Sequence, residues 1–369
     1  MIPTQMALSM VLIRTRPFQR KNFLRTMTTM VSPMLSMHTL EKMILPIMNK
    51  KMMRTEMVSS TPMKRWRATE YEEKGRIMKT DVFIKLFSNQ YSEKEMQGDI
   101  ATAFQMFRNF EARFSRFREE SELSTFNVGE GGSVSEEFFL LFKKCREFHT
   151  VTNGIFDPSI LAVLEKIGYK GSRLPAISEA KGLFLQMIFD EKKKTIQKPK
   201  DLFIDLGGIG KGYIVDKVAD FLFKKYTNGI VDAGGDMRVF GGDKDQHLDY
   251  FAIDVENAVT GETSSVTLVL RDCAVATSGT SRRNWWYQGE RHHHIIDPLL
   301  RKSVKNGIFQ VTVIATHAVE ADVFAKTLLI LGLEEGFLFA QEKNIPALFV
   351  GENKKITRNT LFQKYEWKA

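Results

Sequence analysis

The chain has 369 residues, of which 43% are hydrophobic and 11% aromatic. This composition is typical of a globular protein with a sizeable core, organised as two average domains or one large one. The net charge of +9 is concentrated at one end, because residues 1–70 hold 12 of the 53 Lys and Arg but 3 of the 44 Asp and Glu. The rest carries 41 basic and 41 acidic side chains, which argues against a basic face for nucleic acid.

The first 66 residues differ in composition from the rest. Residues 1–63 hold 13 of the 18 methionines and show no sustained apolar period. The apolar run at 6–13 is followed, not preceded, by arginines, which is the wrong polarity for a signal peptide, and no run is long enough to span a membrane. We interpret residues 1–66 as a disordered extension, a targeting segment or a misassigned start, and residues 67–369 as the folded domain. We expect a cytoplasmic protein without an integral membrane segment; export or membrane association is the alternative if the N-terminus is misassigned.

Hydrophobic periodicity predicts the elements of the first half. Alternating apolar residues predict a strand over 81–86. Helical spacing predicts helices over 94–114, over 135–150 with Ser135 as N-cap, and over 160–167 after Pro158. Glycines at 129–132 predict a turn, and the charged residues 190–200 predict a loop or hairpin.

A glycine-rich stretch follows at 205–216, Asp-Leu-Gly-Gly-Ile-Gly-Lys-Gly-Tyr-Ile-Val-Asp. The apolar residues before it, 201–204, predict a short buried strand, and the apolar spacing from 215 to 222 predicts a helix after it. Such a turn lets a ligand approach the main chain and the positive end of the helix. The stretch matches neither a P-loop nor G-x-G-x-x-G. Taken alone, it is equally consistent with a structural turn and a phosphate site.

The second half is rich in predicted strands. These cover 249–255, 265–270, 274–277, 309–314 and 347–350, and a strand beginning at Gly229 runs into a second glycine turn at 232–236. A polar loop follows at 278–283, and helices are predicted over 319–331 and 333–342. Cys145 and Cys273 are expected to be buried free thiols in a reducing compartment.

The order of these motifs resembles the ApbE family, the FAD:protein FMN transferases. Glycine turns at 205–212, 232–236 and 277–283 are joined by His-Ile-Ile-Asp-Pro at 294–298 and by the Ala-Asp helix at 321–322. The resemblance runs from about Met78 to about Gly332. It implies an α+β fold of mixed sheets with packed helices, and an FAD-binding catalytic domain whose flavin cleft is lined by Gly-rich turns.

The resemblance also implies the reaction. Such enzymes use Mg²⁺ to transfer FMN from FAD to a Thr or Ser hydroxyl of a target flavoprotein, forming a phosphoester and releasing AMP. Hydrolysis of FAD to FMN and AMP, or FAD binding without catalysis, is the alternative. Carried over by motif, the flavin-binding residues would be Met78, Phe117, Phe156, Asp157, Pro158, Asp205, Lys211 and Ile296, although Lys79 replaces a glycine that the family has after the methionine.

The same resemblance implies a metal site and a catalytic pair. The Gly208 carbonyl would face Mg²⁺, and Asp322 would be its carboxylate ligand, since Mg²⁺ prefers hard oxygen ligands. Phosphoryl transfer depends mainly on positioning and charge neutralisation, and a histidine is the commonest group to take the proton of an attacking hydroxyl. His294 is the candidate base, and Asp322 completes the catalytic pair.

One position departs from the family pattern. The family motif reads Ala-Asp-x-x-x-Thr. In this chain Lys326 stands at the position of the Thr, and Thr327 follows one residue later. An ammonium has no lone pair for a metal, so Lys326 could replace part of the metal's charge or weaken its binding. It could also form an ordinary i,i+4 pair with Asp322 worth roughly 0.2–0.5 kcal/mol and leave Mg²⁺ use unchanged. Arg282 and Arg283 are further candidate cations for the pyrophosphate or the target.

Overall fold

The computed structural model describes residues 68–172, 174, 183–245, 247–256, 266–281 and 283–368. The interpretations made for residues 1–66 and for Arg282 therefore lie outside the described residues.

The described chain contains seventeen strands and six α-helices. The strands are β1 (Thr69–Ile77), β2 (Thr80–Ser88), β3 (Gly131–Ser133), β4 (Ile188–Asp190), β5 (Thr195–Gln197), β6 (Asn228–Ala233), β7 (Asp236–Phe240), β8 (Phe251–Val255), β9 (Val266–Leu270), β10 (Cys273–Gly279), β11 (Asn284–Tyr287), β12 (Glu290–His293), β13 (Ile296–Asp297), β14 (Lys302–Ser303), β15 (Ile308–Ala315), β16 (Ala347–Gly351) and β17 (Ile356–Arg358). The helices are α1 (Glu93–Phe114), α2 (Glu122–Val128), α3 (Glu136–Val151), α4 (Leu161–Lys166), α5 (Gly210–Phe223) and α6 (Ala318–Glu342).

An eight-stranded sheet forms the centre of the fold. Its order is β1-β2-β6-β7-β10-β15-β16-β17, and each of these pairings is antiparallel. The pairing of β2 with β6 joins residues far apart in sequence, with Val82 opposite Ala233 and Phe87 opposite Asn228. The predicted α+β class is confirmed.

Both faces of the sheet are covered. On β2, Val82, Ile84 and Leu86 point into the main core with α1 and α5, whereas Phe83 and Phe87 pack in a second core with the β8–β9 hairpin. The strand is therefore buried on both sides, because alternate side chains of a strand point to opposite faces.

Capping residues explain where several helices begin. Ser92 and Glu95 form a capping box at the start of α1, and Ser135 Oγ accepts from Phe138 N, as predicted from the sequence.

The helix α6 is interrupted at Gly332, whose φ of 82° is outside the helical region. This break separates the two helices predicted over 319–331 and 333–342.

Residues 201–204 are not a strand, so that prediction was wrong. Leu202, Phe203 and Ile204 are buried as expected, but the segment joins no sheet. Asn127 replaces the neighbouring strand: its Oδ1 accepts from Ile204 N at 2.7 Å and its Nδ2 donates to Ile204 O at 2.9 Å. A buried backbone needs hydrogen-bond partners, and an amide side chain supplies both here.

Other details also differ from the sequence predictions. The helix α2 and the strands β1, β3, β7, β11, β12, β13, β14 and β17 were not predicted, whereas the predicted loop or hairpin at 190–200 corresponds to β4 and β5. Cys145 and Cys273 are buried free thiols, as expected. In the described part of the chain, no helix is both long and apolar enough to cross a membrane.

Candidate functional site

An open cleft with about 710 Å³ of empty space lies beside the glycine turn that precedes α5. It collects residues from distant parts of the sequence, including most of the predicted site. The lining includes Phe117, Phe156, Asp157, Pro158, Asp205, Gly207, Gly208, Arg283, His294, Ile296 and Lys326. One surface thus combines aromatic and apolar walls with carboxylate, imidazole and cationic groups, as ligand sites commonly do.

The glycine turn is held by its own polar groups. Asp205 Oδ1 accepts from Gly207 N at 2.8 Å, and Asp205 N donates to Pro158 O at 2.8 Å. The second contact fixes the turn against the segment 154–158, Gly-Ile-Phe-Asp-Pro, which also lines the cleft. A Cβ at Gly208 would lie 3.2 Å from the Phe156 ring, so only a glycine lets the wall approach this closely without adjustment.

Arg116, which the sequence analysis did not single out, organises one wall. Its buried guanidinium donates from Nη1 to Glu165 Oε1 at 2.8 Å. Its Nε lies 2.9 Å from Asp205 Oδ2, an ion pair that lacks the alignment of a hydrogen bond. The guanidinium carbon also lies 4.2 Å from the centre of the Phe117 ring. Arg116 therefore fixes the predicted flavin contacts Asp205 and Phe117 together.

Four charged side chains meet where α5 and α6 adjoin the cleft. Lys326 Nζ donates to Asp322 Oδ1 at 2.8 Å and to Gly207 O at 3.4 Å. Lys211 pairs with the buried Asp236. Burial, together with the charge of Asp322, raises the pKa of Asp236 to about 6, although Lys211 opposes this shift. Each carboxylate of this charged quartet is thus paired with an ammonium.

The charged quartet contains Asp322 and Lys326, which occupy the positions that the family resemblance assigns to magnesium binding. Asp322 Oδ1 is occupied by the Lys326 ammonium, and Oδ2 accepts from Gly212 N at 3.4 Å. The Thr327 hydroxyl donates to Val323 O within its own helix. Among the described residues, no group of three or more His, Cys, Asp or Glu side chains could hold a metal. As arranged, these residues fit an ammonium better than Mg²⁺, which would have to displace it.

The candidate base His294 lines the cleft opposite Lys326. Burial, together with the nearby positive charges of Arg283 and Lys326, holds the pKa of His294 well below its usual 6.5. The ring is therefore neutral at pH 7. Its Nδ1 lies 3.4 Å from Arg283 O. Since a carbonyl oxygen only accepts, this contact puts the proton on Nδ1 and leaves the lone pair of Nε2 for an incoming proton.

Two neighbouring residues of the same region have structural roles. His293 Nε2 contacts Val304 O at 2.7 Å, and its Nδ1 accepts from Ile295 N at 3.3 Å, so both nitrogens of that ring hold the backbone. The Trp285 ring stacks on Tyr169 with centroids 4.9 Å apart. Tyr169 lines the cleft, so Trp285 supports the cleft wall through this stacking contact.

Two predicted flavin contacts are not part of the cleft lining. Met78 lies in the β1–β2 turn with φ of 54°, and the next residue, Lys79, places its ammonium 3.8 Å from the centre of the Phe117 ring. This turn therefore flanks the cleft. Lys211 lies in the first turn of α5, where its ammonium pairs with Asp236. The flavin-binding roles of Met78 and Lys211 stay predictions.

Comparison with known proteins identifies the family. The sequence model of the ApbE family matches residues 78–349, which is most of the chain. The chain belongs to the ApbE family. This agrees with the family that the order of the sequence motifs indicated, and it makes the protein an enzyme of the transferase class.

Curated relatives and solved structures agree with this membership. The FAD:protein FMN transferase of Klebsiella pneumoniae is 27% identical over 304 residues, covering 78% of this chain and 90% of its own. That of Treponema pallidum is 25% identical and covers 79% and 87%. The crystal structure of the ApbE protein of Thermotoga maritima superposes with a TM-score of 0.73 at 27% identity, over 81% of this chain and all of its own.

Proposed function

We propose that this ApbE-family member transfers FMN from FAD to a Thr or Ser hydroxyl of a target flavoprotein, and that residues 67–369 form the catalytic domain. The observation that carries the proposal is the cleft itself. It brings Phe117, Asp205, His294 and Lys326 to one surface next to a glycine turn and a helix N-terminus, features that favour an aromatic ligand carrying phosphates.

The flavin and pyrophosphate would occupy different parts of the cleft. The flavin ring would contact Phe117, Phe156, Pro158 and Ile296, with polar contacts from Asp157 and Asp205. The pyrophosphate would lie at the glycine turn and the Lys326 ammonium, since these offer main-chain N–H groups and positive charge. Arg283 would add a second cation at the rim.

The transfer is a displacement at the phosphorus of the FMN half. The acceptor oxygen bonds to that phosphorus while the bond from the phosphorus to the bridging oxygen breaks, and the bridging oxygen departs with AMP. The hydroxyl proton moves to Nε2 of His294, which is neutral at pH 7 because its pKa lies below the usual value. The products are the FMN-phosphoester of the target and AMP.

The magnesium requirement and the cytoplasmic location stay predictions. The first comes from the resemblance to the family and the second from the sequence. In the structure, Lys326 pairs with Asp322, the carboxylate that would ligate the metal.

Mass spectrometry tests the proposed transfer directly. A Thr-containing target flavoprotein is incubated with the protein, FAD and Mg²⁺, and the nucleotides are separated in parallel. We expect the target to gain one FMN through a phosphoester and AMP to form in equal amount, and a target whose acceptor Thr is replaced by Ala should remain unmodified. Free FMN and AMP with an unmodified target would indicate a pyrophosphatase instead, and intact FAD would indicate a binding protein.

A further inference from the structure

The Lys326 ammonium occupies the place that a cation would take at this site. It lies 2.8 Å from Asp322 Oδ1 and 3.4 Å from Gly207 O, so two oxygen atoms from different elements converge on it. Asp322 is almost fully buried and the Lys326 side chain is 15% exposed. The Asp322–Lys326 pair is therefore mostly buried. It differs from the weak surface pair that the i,i+4 spacing by itself would indicate.

The charge balance of the quartet is complete without a metal. The carboxylates Asp236 and Asp322 face the ammonium groups of Lys211 and Lys326, so the formal charges cancel. A divalent cation added to this arrangement would bring two unbalanced charges into a buried region. Removing one ammonium would leave an uncompensated carboxylate, which is a condition that favours cation binding.

The Lys326 ammonium also lies where a ligand bound in the cleft would contact it. Lys326 lines the cleft beside Gly207 and Gly208. An ammonium has three N–H donors, and two of them serve the described contacts with Asp322 and Gly207. The third can therefore bond a phosphate oxygen, which lysine binds as a point charge.

We propose that Lys326 is the built-in cation of this site, binding the FAD pyrophosphate in place of a divalent metal, so that the protein binds FAD without Mg²⁺. The inference rests on the proposed function for the identity of the pyrophosphate ligand. Lys326→Thr removes the ammonium and supplies a hydroxyl oxygen beside Asp322. This single change should therefore create a metal site at Asp322.

The test combines metal binding and FAD binding, neither of which requires a target protein. Mn²⁺ binding is measured by electron paramagnetic resonance with FAD present, and FAD affinity by fluorescence quenching with EDTA or with Mg²⁺. The wild type should bind no stoichiometric Mn²⁺, and EDTA should leave its FAD affinity unchanged. Lys326→Thr should bind one Mn²⁺, lose about tenfold or more in FAD affinity in EDTA, and recover it with Mg²⁺.

Lys343→Thr is the matched control, since Lys343 lies at the other end of α6 and pairs with its neighbour Glu342. It should behave as the wild type. Stoichiometric Mn²⁺ binding by the wild type, or loss of its FAD affinity in EDTA, would overturn the inference. These wild-type measurements decide the matter even if Lys326→Thr fails to fold. If the Mn²⁺ and FAD measurements give the expected results but no FMN is transferred to a target, the proposed function is refuted and this inference is not.

Discussion

The contact between α5 and the start of α6 can be tested by adding one methyl group. A Cβ at Gly212 would lie 2.5 Å from Ala318 O and 2.6 Å from Val319 Cα. Both are backbone atoms, so no side-chain rotation relieves the overlap, and the cost should lie in the upper half, about 2–3 kcal/mol, of the range typical of overpacking. Alanine recovers about 0.5–1 kcal/mol of helix propensity, which leaves a net loss of about 1–2 kcal/mol for Gly212→Ala.

Differential scanning calorimetry measures this loss. At about 2–4 °C per kcal/mol, Tm should fall by about 2–8 °C. The rate of FMN transfer should fall by more than the loss of stability alone explains. Gly212 N donates to Asp322 Oδ2 at 3.4 Å, so moving α5 away from α6 shifts Asp322 and its partner Lys326. A displacement of this kind can cost about tenfold or more in rate.

The same substitution at Gly98 is the control. Gly98 lies in α1, and a Cβ there would meet nothing within 4 Å. Gly98→Ala should therefore raise Tm by about 1–4 °C through helix propensity alone and leave activity unchanged. A Gly212→Ala protein as stable as the wild type would refute the account of this contact, whatever Gly98→Ala does.

Three further predictions concern single hydrogen-bonding groups. Asp216→Ala should lower the free energy of unfolding in urea titrations by about 2–4 kcal/mol, since two buried N–H groups at the start of α6 lose their acceptor. Asn127→Leu should cost a similar amount, about 2–4 kcal/mol, by leaving the Ile204 backbone unpaired; unchanged midpoints would contradict either value. The rate of FMN transfer should hold down to pH 6.5 and fall only well below it, because burial and nearby positive charges keep the pKa of His294 well below 6.5. Arg283→Gln removes one of those charges and should move the fall to higher pH, whereas His294→Gln should abolish this pH dependence.

The sequence predicted the elements whose signals are local. The spacing of Ile100, Phe104 and Phe107 was enough for α1, and Ser135 marked the start of α3. The glycine turn and the motifs around it indicated which segments meet in a cleft. Periodicity and capping work here because each depends on residues within one or two turns of one another.

The sequence could not reveal partners that are distant along the chain. Asp216 ends the glycine-rich stretch, and nothing near it in sequence indicates its role. In the structure it accepts hydrogen bonds from Ala318 N and Val319 N at 2.9 Å each and so caps α6. Arg116 directly precedes Phe117, which the family resemblance indicated, but its partners Glu165 and Asp205 come from two other segments. Only the packed fold brings these groups into contact.

The pairing of β2 with β6 has a consequence for how the protein is made. Everything from α1 to α5 lies between these two paired strands, so during synthesis β2 must wait for the ribosome to deliver more than a hundred further residues. Such non-local pairings slow folding because a long loop must close before its contacts form. The cleft is completed later still, since Lys326 follows both strands. During synthesis, FAD affinity should therefore appear only after the pairing of β2 with β6 has become possible.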